Sequence, residues 1–192
     1  MKTQKQRMST QTLVLGAILT ALVIVLQLIA NVVKVGPVAL TLVQVPIIIG
    51  VATCGIFMGG WLGFVFAFTV LISGASEPFF TFNPIGTIFI VFAKGIACGM
   101  AAGLVYKLVH KTNRYVAVIA AAIICPIVNT GIFFLGCLAF YMPLVTEWAN
   151  GANVGTFMLV GLAGFNFLFE LGTNIVLSPV IVRLLNIRKI NA

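Results

Sequence analysis

Apolar residues run along this chain in long, nearly unbroken stretches, separated by short clusters of Gly, Pro, Asn and charge. Most stretches are far longer than a strand and approach the roughly 20 residues a helix needs to cross a bilayer. The pattern predicts six spans: Thr12–Val33, Leu40–Thr53, Ile56–Ser73, Pro84–Val109, Tyr115–Tyr141 and Val154 to about Leu185. The second is short. No internal repeat stands out, which weakens a reading as an inverted-repeat carrier.

Composition strengthens this picture. The chain is 61% hydrophobic and 7% charged, with a mean hydropathy of +1.21. A soluble domain carries roughly 25% charged residues, and a small one cannot hide this much apolar surface from water. Lipid removes the difficulty. The expected fold is therefore all-α: a polytopic membrane protein, one six-transmembrane-helix bundle over residues 1–192. Basic residues set its orientation. With the N-terminus cytoplasmic, the inner segments hold Lys2, Lys5, Arg7, Lys107, Lys111, Arg114, Arg183, Arg188 and Lys189, and the outer loops only Lys34. Both termini are expected in the cytoplasm. The net charge of +8 then reflects topology and not nucleic-acid binding. Basic residues also precede the first span, as in a signal peptide. Its apolar stretch is too long and lacks a small-residue cleavage site, so it reads as a retained helix.

Two charges fall inside predicted spans, Lys94 and Glu170. Each costs about 3 kcal/mol or more in hydrocarbon unless paired or hydrated. Lys94 stands about ten residues into its helix, roughly 15 Å from the outer end and near the midplane. Glu170 stands about sixteen residues into its own helix, somewhat deeper. Either they pair and lock two helices, or one or both face a substrate cavity. Asn166, Glu170 and Asn174 recur at i, i+4 and i+8, so they form one polar stripe with Thr173 beside it. Such a stripe does not face lipid; it faces the bundle, another subunit or a hydrated pocket. In the fifth span Pro126 removes a backbone donor and predicts a bend with a freed carbonyl near Ala122, just before Asn129 and Thr130. Asn83 and Pro84 read as an N-cap and first-turn proline. They aim the positive end of the fourth span at the outer mouth, which suits an anionic or strongly polar ligand. Capping alone is the other reading of Asn83.

The outer segment 74–83 carries Glu77, Phe79, Phe80 and Phe82. It reads either as a lid over a pocket or as an interfacial loop with its aromatics at headgroup level. The more polar segment 142–153 reads as a second outer loop. Gly95, Gly99 and Gly103 form a small-residue stripe, with Ala93, Ala97 and Ala101 beside it, for close helix packing. Ala17 and Ala21, with Gly16, leave a smooth surface near the cytoplasmic end of the first span. Internal packing and docking of another membrane subunit are both open there.

Some chemistry is not expected. Cys54, Cys98, Cys125 and Cys137 show no CxxC spacing, and the one histidine, His110, is distant from them. They read as packing residues, with no metal site and no cofactor. No phosphate-binding loop, HExxH or GxSxG occurs, and three acids leave little room for catalysis. The chain does not read as an enzyme.

These residues resemble the substrate-binding S components of energy-coupling factor (ECF) vitamin transporters. The resemblance spans nearly the whole chain. It rests on the small, basic-ended six-helix pattern, on Ala17 and Ala21, and on the run GPVALTLVQVPIIIG from Gly36 to Gly50. It also rests on FNPIGTI from Phe82 to Ile88 and on CPIVNTGIFFLG from Cys125 to Gly136. It implies a multi-pass protein of a prokaryotic plasma membrane that binds a water-soluble vitamin from outside. It implies partners as well: a transmembrane coupling subunit, docking near Ala17 and Ala21, and two cytoplasmic ATPases. Transport in such proteins is thought to involve toppling within the membrane. The implied ligand site is in the outer half, where Asn83, Lys94, Asn129, Asn166 and Glu170 fall. Asn-Pro-Ile-Gly-Thr looks most like the pantothenate-type members, whose ligand would bring a carboxylate to Lys94 and hydroxyls to Asn129 and Asn166. An unpaired Glu170 would instead favour a cationic or amide-bearing ligand, such as a thiamine-related compound, a flavin or a deazapurine. A self-sufficient channel or secondary carrier is the alternative from a different class, followed by a membrane enzyme or assembly factor.

Overall fold

The computed structural model describes residues 10–32, 34–35, 38–39, 42–162 and 164–190. Lys2, Lys5 and Arg7, used above for orientation, lie outside them. Among the described residues the regular structure is helical apart from one tiny antiparallel hairpin, β1 (Lys34–Val35) with β2 (Val38–Ala39), pairing Lys34 with Ala39. The helices are α1 (Thr10–Ala30), α2 (Gln44–Cys54), α3 (Ile56–Ile72), α4 (Glu77–Phe82), α5 (Pro84–Val109) and α6 (Arg114–Phe140). They continue with α7 (Met142–Ala149), α8 (Val154–Thr156), a π-helical segment Phe157–Leu162 and α9 (Gly164–Ile190). Among the described residues, four stretches are long and apolar enough to cross a membrane: α1, α5, α6 and Val154–Leu185. The other two predicted spans are present as apolar but shorter helices, α2 and α3.

Local chemistry sets the boundaries. Asn83 caps α5, its side-chain oxygen accepting from Gly86 N at 2.9 Å, and Pro84 supplies a pre-set φ in the first turn. Asn113 does the same for α6, accepting from Tyr115 N at 2.8 Å. Gly55, at φ 86°, makes the tight turn between α2 and α3 in a conformation that disfavours any side chain. The π segment departs from the continuous helix predicted over Val154–Leu185. Its i→i+5 winding is wider than an α-turn, and a Cβ on Gly164 would lie 2.1 Å from Leu159 O, a space that only glycine leaves open. It resets the helical register just before Asn166.

Two further segments differ from expectation. Residues 74–83 and 142–153 read as loops but contain α4 and α7. Each has a proline in its first turn and an apolar face, and those faces meet. Phe79 packs edge-on against Phe133, Tyr141 and Trp148, with ring centroids 5.1–5.4 Å apart. These contacts join Cys137, Val145, Met158 and Leu162 in a small second core.

The main core centres on α2, which touches α1, α3, α5, α6 and α9. Ile47, Ile48 and Val51 are fully or almost fully buried, so this short helix is apolar nearly all round. Lipid offers no hydrophobic drive for helices to associate, so close backbone contact must supply it. Gly95 and Gly99 provide that contact against Gly63 and Gly59 of α3, and Gly103 sits on Ile56. The glycine stripe thus packs α5 on α3.

Candidate binding chamber

Polar side chains from five parts of the fold converge between α1, α3, α4, α5, α6 and α9. They enclose a cavity of about 80 Å³, where a single water needs roughly 10–15 Å³. Gln27 enters from α1, Ser76 from the turn before α4, Thr87 and Lys94 from α5, Asn129 and Thr130 from α6, and Asn166 and Glu170 from α9. Apolar walls come from Phe66 and Val70 of α3, Ile90 and Val91 of α5, and Phe133 of α6. Small-molecule sites commonly have this character, with apolar walls and a few convergent polar groups.

Glu170 is 2% exposed and is held by neighbours. It accepts from Gln44 Nε2, and from Asn166 Nδ2 at 3.2 Å. Gln44 in turn accepts from Asn174 Nδ2 at 2.7 Å. Asn174 also donates to Ala122 O at 3.3 Å. Ala122 lies four residues before Pro126, so its carbonyl is the one that the proline leaves without a helical donor. The expected freed carbonyl is therefore real and is satisfied across the α6–α9 interface. Gln44→Leu should strip a donor from Glu170 and an acceptor from Asn174, lowering stability by about 1–3 kcal/mol. Thermal unfolding in detergent measures this, and an unchanged midpoint would show that the network holds nothing.

Lys94 faces the same space. Its Nζ lies 5.3 Å from the Phe133 ring centroid and 6.0 Å from that of Phe66, within cation–π range. Thr87 Oγ1 and Tyr141 Oη lie 2.7 Å apart and form a hydrogen bond at the other end of the wall. Three lining oxygens are buried without a hydrogen-bond partner: Gln27 Oε1, Asn129 Oδ1 and Asn166 Oδ1. A buried acceptor left unmade costs about 1–3 kcal/mol, so three in one cavity call for donors that the surrounding side chains do not supply.

Of the residues singled out from the sequence, Lys94, Asn129, Asn166 and Glu170 come together here, and Phe79 joins the wall. Asn83 does not line the cavity; its side chain is engaged in capping α5. Glu77, Phe80 and Phe82 are exposed on α4, outside the lining. Ala17 and Ala21 are exposed on α1, away from the cavity. Gln27, Gln44, Thr87 and Tyr141 were not singled out. The two glutamines carried the usable signal, each an isolated amide in an apolar run.

Apolar helices of span length around a polar chamber define an integral membrane protein built to handle a solute. The model of one family, described as ECF transporter, substrate-specific component, matches residues 11–182, and the chain belongs to that family. The description is that of a substrate-binding subunit, not of an enzyme or a self-sufficient channel. No curated protein matches, and no solved structure matches.

Proposed function

We propose that this chamber captures a water-soluble vitamin or related micronutrient, with pantothenate the first candidate. The observation that carries the reading is the set of three unpartnered oxygens beside Lys94. Pantothenate offers a carboxylate for the ammonium. It also offers a pair of hydroxyls and an amide N–H, as many uncharged donors as there are waiting acceptors. Its geminal methyls suit the walls formed by Phe66, Ile90 and Val91. Glu170 already accepts from Gln44 and Asn166, which argues against a cationic ligand held on that carboxylate. In this reading the chain crosses a prokaryotic plasma membrane six times with both termini cytoplasmic, and α4 is a lid through Phe79. Glu77, Phe80 and Phe82 then form the lid's outer surface. Asn83 serves the ligand indirectly, by holding the start of α5. Mass spectrometry of the small molecule that co-purifies with the chain tests the ligand class. A pantothenate mass supports the reading; a cationic or flavin-like molecule overturns it.

The energising partners are proposed as a transmembrane coupling subunit and two cytoplasmic ATPases, met at Ala17 and Ala21. The exposure of these two small side chains supports docking over internal packing. Ala17→Trp should leave ligand binding unchanged and abolish assembly with the partners, because an indole fills a surface that must be flat. Size exclusion of the co-expressed proteins checks it, and an intact complex would remove the docking face.

A further inference from the structure

A single inward stripe runs along the last apolar stretch. Met158, Leu162, Glu170, Asn174 and Ser178 are buried and Asn166 is half-buried, and each follows the one before by four residues. The first two belong to the π segment and pack with Phe79, Cys137, Tyr141 and Val145 in the second core. Asn166 and Glu170 line the chamber, and Asn174 joins the network to Gln44 and Ala122. Regular α-geometry does not hold such a stripe on one face. An α-helix turns about 100° per residue, so residues four apart advance about 40° beyond a full turn. The four steps from Met158 to Asn174 would then add up to about 160°, and the two ends of the stripe would face nearly opposite ways.

The π segment takes that drift back. With i→i+5 bonding it needs more residues per turn, so a four-residue step there falls short of a full turn. Val160 within it is exposed and belongs to neither core. Gly164 keeps the wide turn open, because the atom a Cβ would meet, Leu159 O, is backbone and cannot swing aside. We infer that the π segment is a register device, one residue longer than an α-helix would need. Gly164 is then a positioning residue: it keeps Asn166 and Glu170 turned into the chamber while Met158 and Leu162 stay in the second core. A Cβ at Gly164 closes the wide turn to an α-turn, and the extra residue is absorbed by turning α9 about 100°. That withdraws Glu170 from Gln44 and Asn166 from the chamber. Removing Val160 as well takes away the extra residue, and α-geometry then serves both ends. The effect on binding rests on the chamber reading proposed above; the effect on stability rests on the packing alone.

The test is thermal unfolding of the full chain in mild detergent, joined to calorimetric titration with pantothenate. Gly164→Ala should lower the ligand-free midpoint by about 2 °C or more, as the bonds around Gln44 are lost. It should weaken binding about tenfold or more, as Asn166 leaves the chamber. Deleting Val160 in that variant should restore both. Deleting Val160 alone should leave both at wild-type values. Deleting Leu168, comparably exposed but inside the regular α9, should abolish binding and a defined midpoint. If Gly164→Ala aggregates, recovery on deletion of Val160 supports the proposal, and continued aggregation overturns it. An unchanged midpoint in Gly164→Ala overturns it too, as does a loss on deleting Val160 equal to that on deleting Leu168. A wild type that ignores pantothenate, with midpoints that fall and recover as described, removes the ligand assignment and leaves the register device standing.

Discussion

Gly63→Leu should prevent the bundle from assembling. A Cβ at Gly63 would lie 2.0 Å from Gly95 O, and one at Gly99 would lie 2.1 Å from Gly59 O. The obstructing atoms are backbone carbonyls inside helices, which cannot swing aside as a side chain can. Relief requires α3 and α5 to separate along their length, and with them the walls that carry Phe66 and Lys94. Overpacking in a core costs about 1–3 kcal/mol when side chains can rearrange; here the clash is with main chain and the loss should exceed 3 kcal/mol. Even Gly63→Ala should lower the unfolding midpoint. Gly131→Leu is the control, because nothing lies within 4 Å of a Cβ there. The expected outcome is a single monodisperse peak for Gly131→Leu and aggregation or loss of yield for Gly63→Leu. A well-folded Gly63→Leu with an unchanged midpoint would mean that α3 and α5 do not touch as described.

The predicted elements fared best where their signals were local. The predicted limits of the fourth span, Pro84 and Val109, are those of α5, because Asn83 and Pro84 specify its start without help from the rest of the fold. The glycine stripe on α5 also spoke for itself: small residues at i, i+4 and i+8 in lipid have one obvious use. The missed elements depend on partners distant in sequence. Segment 74–83 has too few residues to show a helical period, and α4 exists because Phe79 finds Phe133, Tyr141 and Trp148. The π segment precedes α9, which packs on α6 and α2. Nothing in FMLVGL distinguishes it from an ordinary helical turn.

The chamber was legible to the extent that lipid makes polarity expensive. Lys94, Asn129, Asn166 and Glu170 stood out because hydrocarbon gives such groups nothing to bond with. By the same rule Gln27 and Gln44 qualify, each nearly fully buried, but an uncharged amide is a weaker signal than a charge. Thr87 and Tyr141 carried no signal. A threonine in an apolar helix usually bonds its own backbone, and Thr87 also bonds Asn83 O, at 2.8 Å. A tyrosine near a helix end ordinarily marks the interface. Asn83 shows the converse problem: one sequence feature supported two roles, and only the position of its oxygen against Gly86 N separates them.

Lys94→Ala should weaken ligand binding at least about tenfold while the protein still folds. A charge-assisted hydrogen bond contributes about 1.5–3 kcal/mol, so removing the ammonium loses about 10- to 150-fold in affinity. Folding should survive because Glu170 keeps its bonds from Gln44 and Asn166. Lys94→Met keeps the stem that lies near Phe66 and Phe133, and so separates charge from packing. Calorimetric titration with pantothenate and with its alcohol analogue, in which the carboxylate becomes a hydroxymethyl group, reads the contact directly. Wild type should prefer the acid, and both variants should bind acid and alcohol alike. Equal affinity of wild type and Lys94→Met for the acid would make Lys94 a structural cation. A wild-type preference for the acid that persists in Lys94→Met would place the carboxylate elsewhere in the chamber.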